Sequence, residues 1–206
     1  MRRLVLLLAV MLLTGWLLLV FVVRPNAPQV TTAVLYLGSR PAGSYTLQGA
    51  PTISAAFINQ VLAAYHSPAA GLGQALYDLG VKYGIDPVFA LAFFWHESDF
   101  GTTGEATVTR SLGNERCVAD RPCIDQDRGG YALMQSWQVG FEHWYRLILY
   151  GYVQGRVTIP IVGHVCTTVD QIVPVYAPSS DGNDEAAYIA AVKHAVDTWR
   201  HGVVWV

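Results

Sequence analysis

Residues Asp86–Gly104 read DPVFALAFFWHESDFGTTG, and this stretch decides the fold. Asp86 can cap a helix N-terminus and Pro87 suits the first helical position. Val88 to Trp95 is then apolar on every side, the pattern of a helix buried all round. His96-Glu97-Ser98-Asp99 ends it, and Gly101, Thr102, Thr103 and Gly104 have the composition of a loop. A carboxyl group, Glu97, therefore stands where a core helix opens toward solvent. Burial raises a carboxyl pKa, and the negative end of the helix dipole pushes the same way. A Glu kept protonated near neutral pH is what general-acid cleavage of a glycosidic bond requires.

Working outward, the N-terminal side carries two more helical patterns. Ser54 is a cap candidate ahead of Ala55 to Tyr65, where Phe57, Ile58, Val61, Leu62 and Tyr65 fall at helical spacing. A second helix is expected over Leu72 to Tyr83, stopped by Gly84. On the C-terminal side, Gly101 to about Gly130 loses all apolar periodicity and reads as a polar insertion holding a short hairpin. Ser136 is placed to cap a helix closing at Gly151, a short helix is expected over Thr167 to Val173, and Glu185 to Arg200 is amphipathic. Short connections between such helices predict a compact, mostly α domain over 52–206.

Ahead of it, Met1-Arg2-Arg3 precedes an uncharged run from Leu4 to Val23. Twenty helical residues at about 1.5 Å each match a hydrocarbon core of about 30 Å. Residues 1–24 are expected to form an uncleaved signal-anchor rather than a cleaved signal peptide, because Pro28 spoils the one exit site, after Ala27. Arg2 and Arg3 outweigh Arg24, which keeps the N-terminus cytoplasmic and the rest outside the cell membrane. Residues 25–51, punctuated by Pro and Gly, read as an extracytoplasmic linker. Without Arg2, Arg3 and Arg24, ten basic residues face fifteen acidic ones, a formal charge of −5. With Lys only at 82 and 193 and no basic stripe, nucleic acid is not an expected partner. Cys117 and Cys123 bracket a short polar loop and are candidates for a local disulfide, leaving Cys166 as a thiol.

The chemistry narrows by elimination. His96-Glu97 lacks the second His of a zinc helix, since Phe100 holds that place, and no Cys or His spacing favours a metal. Ser98 has no nucleophile-elbow setting and no glycine-rich phosphate loop is present, so no cofactor is expected. Acid-catalysed hydrolysis without a metal is the economical choice. Tyr176 is singled out because it precedes a Pro/Ser/Asp/Gly turn; its hydroxyl can orient a water or stabilise a positive centre near Glu97, or simply plug two helices.

Four motifs in order then show a resemblance. FFWHESDFGTTG, followed by Ser111-Leu112-Gly113-Asn114, resembles the glucosaminidase family of peptidoglycan hydrolases. Tyr131, Ser136-Trp137, Gly140 and Trp144-Tyr145-Arg146-Leu147 are similar to that family's aromatic–Ser-Trp–Gly–Trp-Tyr–Leu stretch, and Tyr176-Ala177 with Asp181 and Tyr188 to its closing element. The chain departs from the family in carrying Asp99-Phe100-Gly101 after the Glu. The resemblance implies a lysozyme-like fold and cleavage of a β-1,4 bond beside N-acetylglucosamine in peptidoglycan. It gives Glu97 the general-acid role, Tyr176 the tyrosine role, and Asn114, Tyr131, Trp137 and Asp181 contacts to substrate.

A second carboxylate stays open among residues of the insertion, Glu105 and Glu115 foremost, with Asp120, Asp125 and Asp127 behind them. An inverting pair stands roughly 6.5–9.5 Å apart and a retaining pair about 5–5.5 Å, while a substrate-assisted route uses the 2-acetamido oxygen instead. Rival readings are a lytic transglycosylase of the same fold, which releases anhydro products, and an inactive wall-binding module.

Overall fold

A computed structural model describes residues 44–155 and 164–206. The chain there is mostly helical, and its elements follow in order: α1 Ala55–Ala64, α2 Gly73–Tyr83, α3 Pro87–Ser98, α4 Ala106–Thr109, β1 Cys123–Ile124, β2 Tyr131–Ala132, α5 Trp137–Arg146, α6 Val169–Tyr176 and α7 Glu185–Arg200. The apolar run at 4–23 and the linker up to residue 43 lie outside the described residues. Among the described residues no helix is long and apolar enough to cross a membrane.

The centre is α3. Its N-cap is Asp86, which accepts from Val88 N at 3.3 Å, with Pro87 at the first position. Every residue from Pro87 to Phe94 is buried, because α7 packs along one side and α2 along another. Phe93 sits among the rings of Trp144, Tyr176 and Tyr188, and Phe94 lies against Phe141 and Trp144. A fully buried Phe contributes about 1.5–3 kcal/mol relative to an exposed one, so this cluster anchors the domain. The helix stops at Asp99, which turns left-handed at φ 46°.

The same Asp86 ties Thr52 and the last helix to the core. It is completely buried and accepts from Thr52 N at 3.0 Å, from Thr52 Oγ1 at 2.7 Å and from Arg200 Nη2 at 3.2 Å. Arg200 also donates to the Ser44 carbonyl at 2.8 Å. Residues 44–51, expected within the linker, therefore belong to the folded body. Leu47 is fully buried, Leu47 N donates to Thr167 O and Asp86 N to Leu47 O, and Thr46 and Gln48 form isolated bridges to Thr168 and Ile85. The boundary at 52 moves back accordingly. Proline and glycine content marks irregular backbone, which a folded edge shares with a free tether.

Two further differences affect the cleft. The helix starting at Trp137 does not close at Gly151 but continues as a π-helical segment, Leu147–Val153, with Gln154 N bonded to Leu149 O. The short helix expected to end at Val173 runs through Pro174 to Tyr176. A capping box of Thr168 and Gln171 starts it, and burial of Val169, Ile172 and Val173 outweighs the bond that Pro174 cannot donate. Tyr176 is thus the last residue of a helix rather than part of a loop. In the polar insertion, β1 and β2 form an antiparallel hairpin in register Cys123↔Ala132 and Ile124↔Tyr131. Cys117 and Cys123 are joined in a disulfide, Cα–Cα 5.2 Å, and Cys166 is a buried free thiol.

Candidate active site

The C-terminal end of α3, the loop Gly113–Val118, Tyr131 of β2, the π-helical segment and the α6–α7 turn together enclose a cleft of about 550 Å³. Glu97 lines it from the last turn of α3. Its carboxylate is held from two directions. Tyr188 of α7 donates its hydroxyl to Oε1 at 2.6 Å, and Asn114 Nδ2 reaches Oε2 at 3.3 Å. Asn114 Nδ2 also donates to the Glu97 carbonyl at 2.7 Å, which satisfies one of the bare carbonyls at the helix end. Burial pushes the Glu97 carboxyl above its ordinary range; the Tyr188 and Asn114 bonds and the Arg116 charge pull the other way without cancelling it.

Asn114 can do this because its backbone sits at φ 48°, a left-handed conformation that Asn tolerates. The adjacent Gly113 has a separate reason. A Cβ there would fall 2.6 Å from the Tyr176 hydroxyl and 2.6 Å from Trp144 Cδ1, so only glycine lets the loop lie this close to α5 and α6. Tyr176 donates to the Gly113 carbonyl at 2.5 Å. Its hydroxyl is occupied as a brace for the loop, and burial with the Glu97 and Glu115 charges holds its pKa well above 10.

The residues expected at the site divide. Glu97, Asn114, Glu115, Tyr131, Tyr176 and Asp181 all line the cleft. Trp137 is not among the lining residues; its half-buried indole lies against Gly101 at the start of α5. Glu105 is also outside the lining, where it pairs with Arg128 at 2.6 Å. Glu115 is buried and spent on a partner, with His143 Nδ1 at 2.5 Å from its Oε2. Burial raises the Glu115 carboxyl, and Glu115 in turn raises His143. Asp181 is exposed at the cleft rim in the α6–α7 turn.

Sequence reading placed Tyr188 in the closing motif but gave no role to this nearest neighbour of the Glu97 carboxylate. Tyr188 falls on the buried face of an amphipathic helix, where periodicity assigns it to the core; no local signal marks a hydroxyl that crosses to residue 97. His96 covers the Tyr188 ring, centroids 3.9 Å apart, and burial lowers its pKa. Among the described residues no group of three or more His, Cys, Asp or Glu converges to hold a metal ion.

Chemically, the arrangement presents two cleft carboxyl groups that burial biases toward their protonated forms, Glu97 and Glu115, and Glu115 is already paired with His143. Oε1 is engaged by the short Tyr188 bond and Oε2 only by the longer Asn114 contact at 3.3 Å, so a transferable proton belongs on Oε2. The buried Asn114 Oδ1 has no hydrogen-bond partner among the described residues and is suited to receive an N–H or O–H from a ligand. Comparison of the chain with protein-family models and with curated proteins finds no match.

Proposed function

We propose that this protein is a glycoside hydrolase of lysozyme-like architecture that cuts a β-1,4 bond beside N-acetylglucosamine in peptidoglycan or a related glycan. One observation carries the reading: Glu97 is a desolvated carboxyl at the end of a buried helix, open to a cleft, held closely on Oε1 by Tyr188 and more loosely on Oε2 by Asn114. In this reading Oε2 protonates the leaving oxygen while the Tyr188 bond steadies the carboxylate that forms. Asn114 Oδ1 supports it further, because an unpaired acceptor beside the acid suits the amide N–H of a 2-acetamido sugar. Tyr176 acts through the loop it braces and is a positioning residue.

For the second step, Glu115 is committed to His143, Glu105 to Arg128, and Asp181 stands at the rim. A substrate-assisted route, in which the 2-acetamido oxygen attacks, requires no further protein carboxylate and agrees best with that distribution. The apolar run 4–23 is read as a single-pass anchor that holds the domain outside the cell membrane.

The test is a digest of purified peptidoglycan by the full-length protein in detergent, beside Glu97→Gln, read by mass spectrometry. Fragments with a reducing-end N-acetylglucosamine from the wild type alone are expected. Anhydro ends would move the protein to the lytic transglycosylases, and equal activity in Glu97→Gln would refute the role of Glu97.

A further inference from the structure

The cleft holds one cationic side chain, and its setting is unusual for a surface arginine. Arg116 is exposed and lines the cleft together with Glu97 and Tyr131. Its guanidinium lies 4.7 Å over the Tyr131 ring, and an isolated bridge pairs the two residues' backbones. Nη1 donates to the Arg128 carbonyl at 3.3 Å. The seat is completed by Gly129, at φ +95°, where a Cβ would fall 2.6 Å from Arg116 Nη1. Three restraints thus fix a planar cation in place. None is a carboxylate, and among the described residues no Asp or Glu comes within ion-pair distance of it.

A guanidinium spends little further entropy in binding an anion once its plane is set, and a carboxylate is the planar anion that matches its fork. The aromatic face beneath it adds a cation–π contact without consuming its outward N–H groups. We propose that Arg116, seated on Tyr131 and Gly129, is a specificity-determining residue that binds a carboxylate carried by the glycan substrate. The inference deepens the glycan reading above and rests on it for the identity of the polymer. In peptidoglycan a carboxylate comes from two sources, the lactyl ether of a peptide-free muramic acid or the peptide stem attached there. A polymer of N-acetylglucosamine alone has neither. Arg116 also pulls the Glu97 carboxyl downward, so it acts within electrostatic reach of the acid. A rate measurement would mix that effect with substrate binding, and a binding measurement on an uncleaving protein avoids it.

The experiment uses full-length Glu97→Gln protein in detergent and follows intrinsic fluorescence or heat on titration. Five probes are compared: peptide-free peptidoglycan oligosaccharides, peptide-bearing ones, the same two pools with carboxyl groups amidated, and chitin oligosaccharides of equal length. The expected result is a loss of affinity of about tenfold or more on amidation, with chitin oligosaccharides matching the amidated pools. Adding Arg116→Ala should produce the same loss on the native pools and none on the amidated ones, while Arg116→Lys should recover part of it. Whichever native pool binds tighter assigns the carboxylate to the lactyl group or the stem. Equal affinity for native, amidated and chitin probes would overturn the proposal and leave the glycan reading standing. Binding to none of them would remove both. The amidated ligands test the idea without any change at Arg116, so a folding defect in the variant cannot hide the answer.

Discussion

Tyr188→Phe is the sharpest probe of the site, because it deletes one hydroxyl and nothing else. That hydroxyl donates to Glu97 Oε1 at 2.6 Å from a side chain that is itself buried. A donor to a carboxylate stabilises the charged form, so its removal raises the Glu97 pKa beyond what burial already does. A hydrogen bond to a charged group is worth about 1.5–3 kcal/mol. At 1.36 kcal/mol per pH unit, the alkaline limb of kcat/KM, set by ionisation of a general acid, should move up by roughly one to two units. Turnover at the optimum should fall, since the nascent carboxylate loses its support. The assay is a pH profile on a soluble glycan, paired with ¹³C NMR of the Glu97 carboxyl, which reports the titration even in an inactive protein. A limb and a titration that stay put would refute the reasoning. A downward move would mean that Tyr188 accepts a proton bond from neutral Glu97 rather than donating to the carboxylate.

Other expectations follow from the same contacts. The raised Glu97 pKa means that the folded state holds its proton more tightly than the unfolded chain does; the associated stability is full below the ordinary Glu value and is lost as pH rises through the folded pKa. Glu97→Gln should therefore abolish cleavage yet flatten that part of the stability–pH curve and raise the denaturation midpoint at neutral pH, measured by urea titration. Arg200→Ala removes the ion-pair partner of the fully buried Asp86 and should cost about 3–5 kcal/mol in the same titration. Gly113→Ala should cost about 1–3 kcal/mol and lower activity, because the new methyl meets Tyr176 and Trp144 and shifts the loop that carries Asn114. His143→Ala should destabilise by a comparable amount, most below the raised His143 pKa, where the pair with Glu115 is charged on the imidazole side.

Much of the helical order is legible because it is local. The cap at Asp86, Pro87 at the first position, Ser54 and Ser136 as N-caps, the stop at Gly84 and the bounds of α7 all follow from residues within a turn of the event they control. Burial of α3 is equally readable, since a helix apolar all round has no face to give to water. The misreadings concern cases where distant packing overrules a local sign. Residues 44–51 look like a tether until Arg200 and Asp86 claim them, and α6 crosses Pro174 because its flanking residues are worth more in the core than the missing bond.

For the site, the sequence by itself determined that an acid would stand at the open end of a buried helix and that a polar segment would follow it. That much requires only periodicity and the chemistry of a carboxyl group. Tertiary structure alone decided who touches it. Tyr188 lies ninety-one positions away in α7 and Asn114 seventeen away in a loop, and they meet Glu97 because α7 packs on α3 and Gly113 admits the loop. It also decided that Glu115 is spent on His143, that Trp137 packs against Gly101, and that Arg116 lies over Tyr131. Hydrogen bonds act over about 3 Å in space whatever the separation along the chain, so such partnerships exist only once the helices have packed.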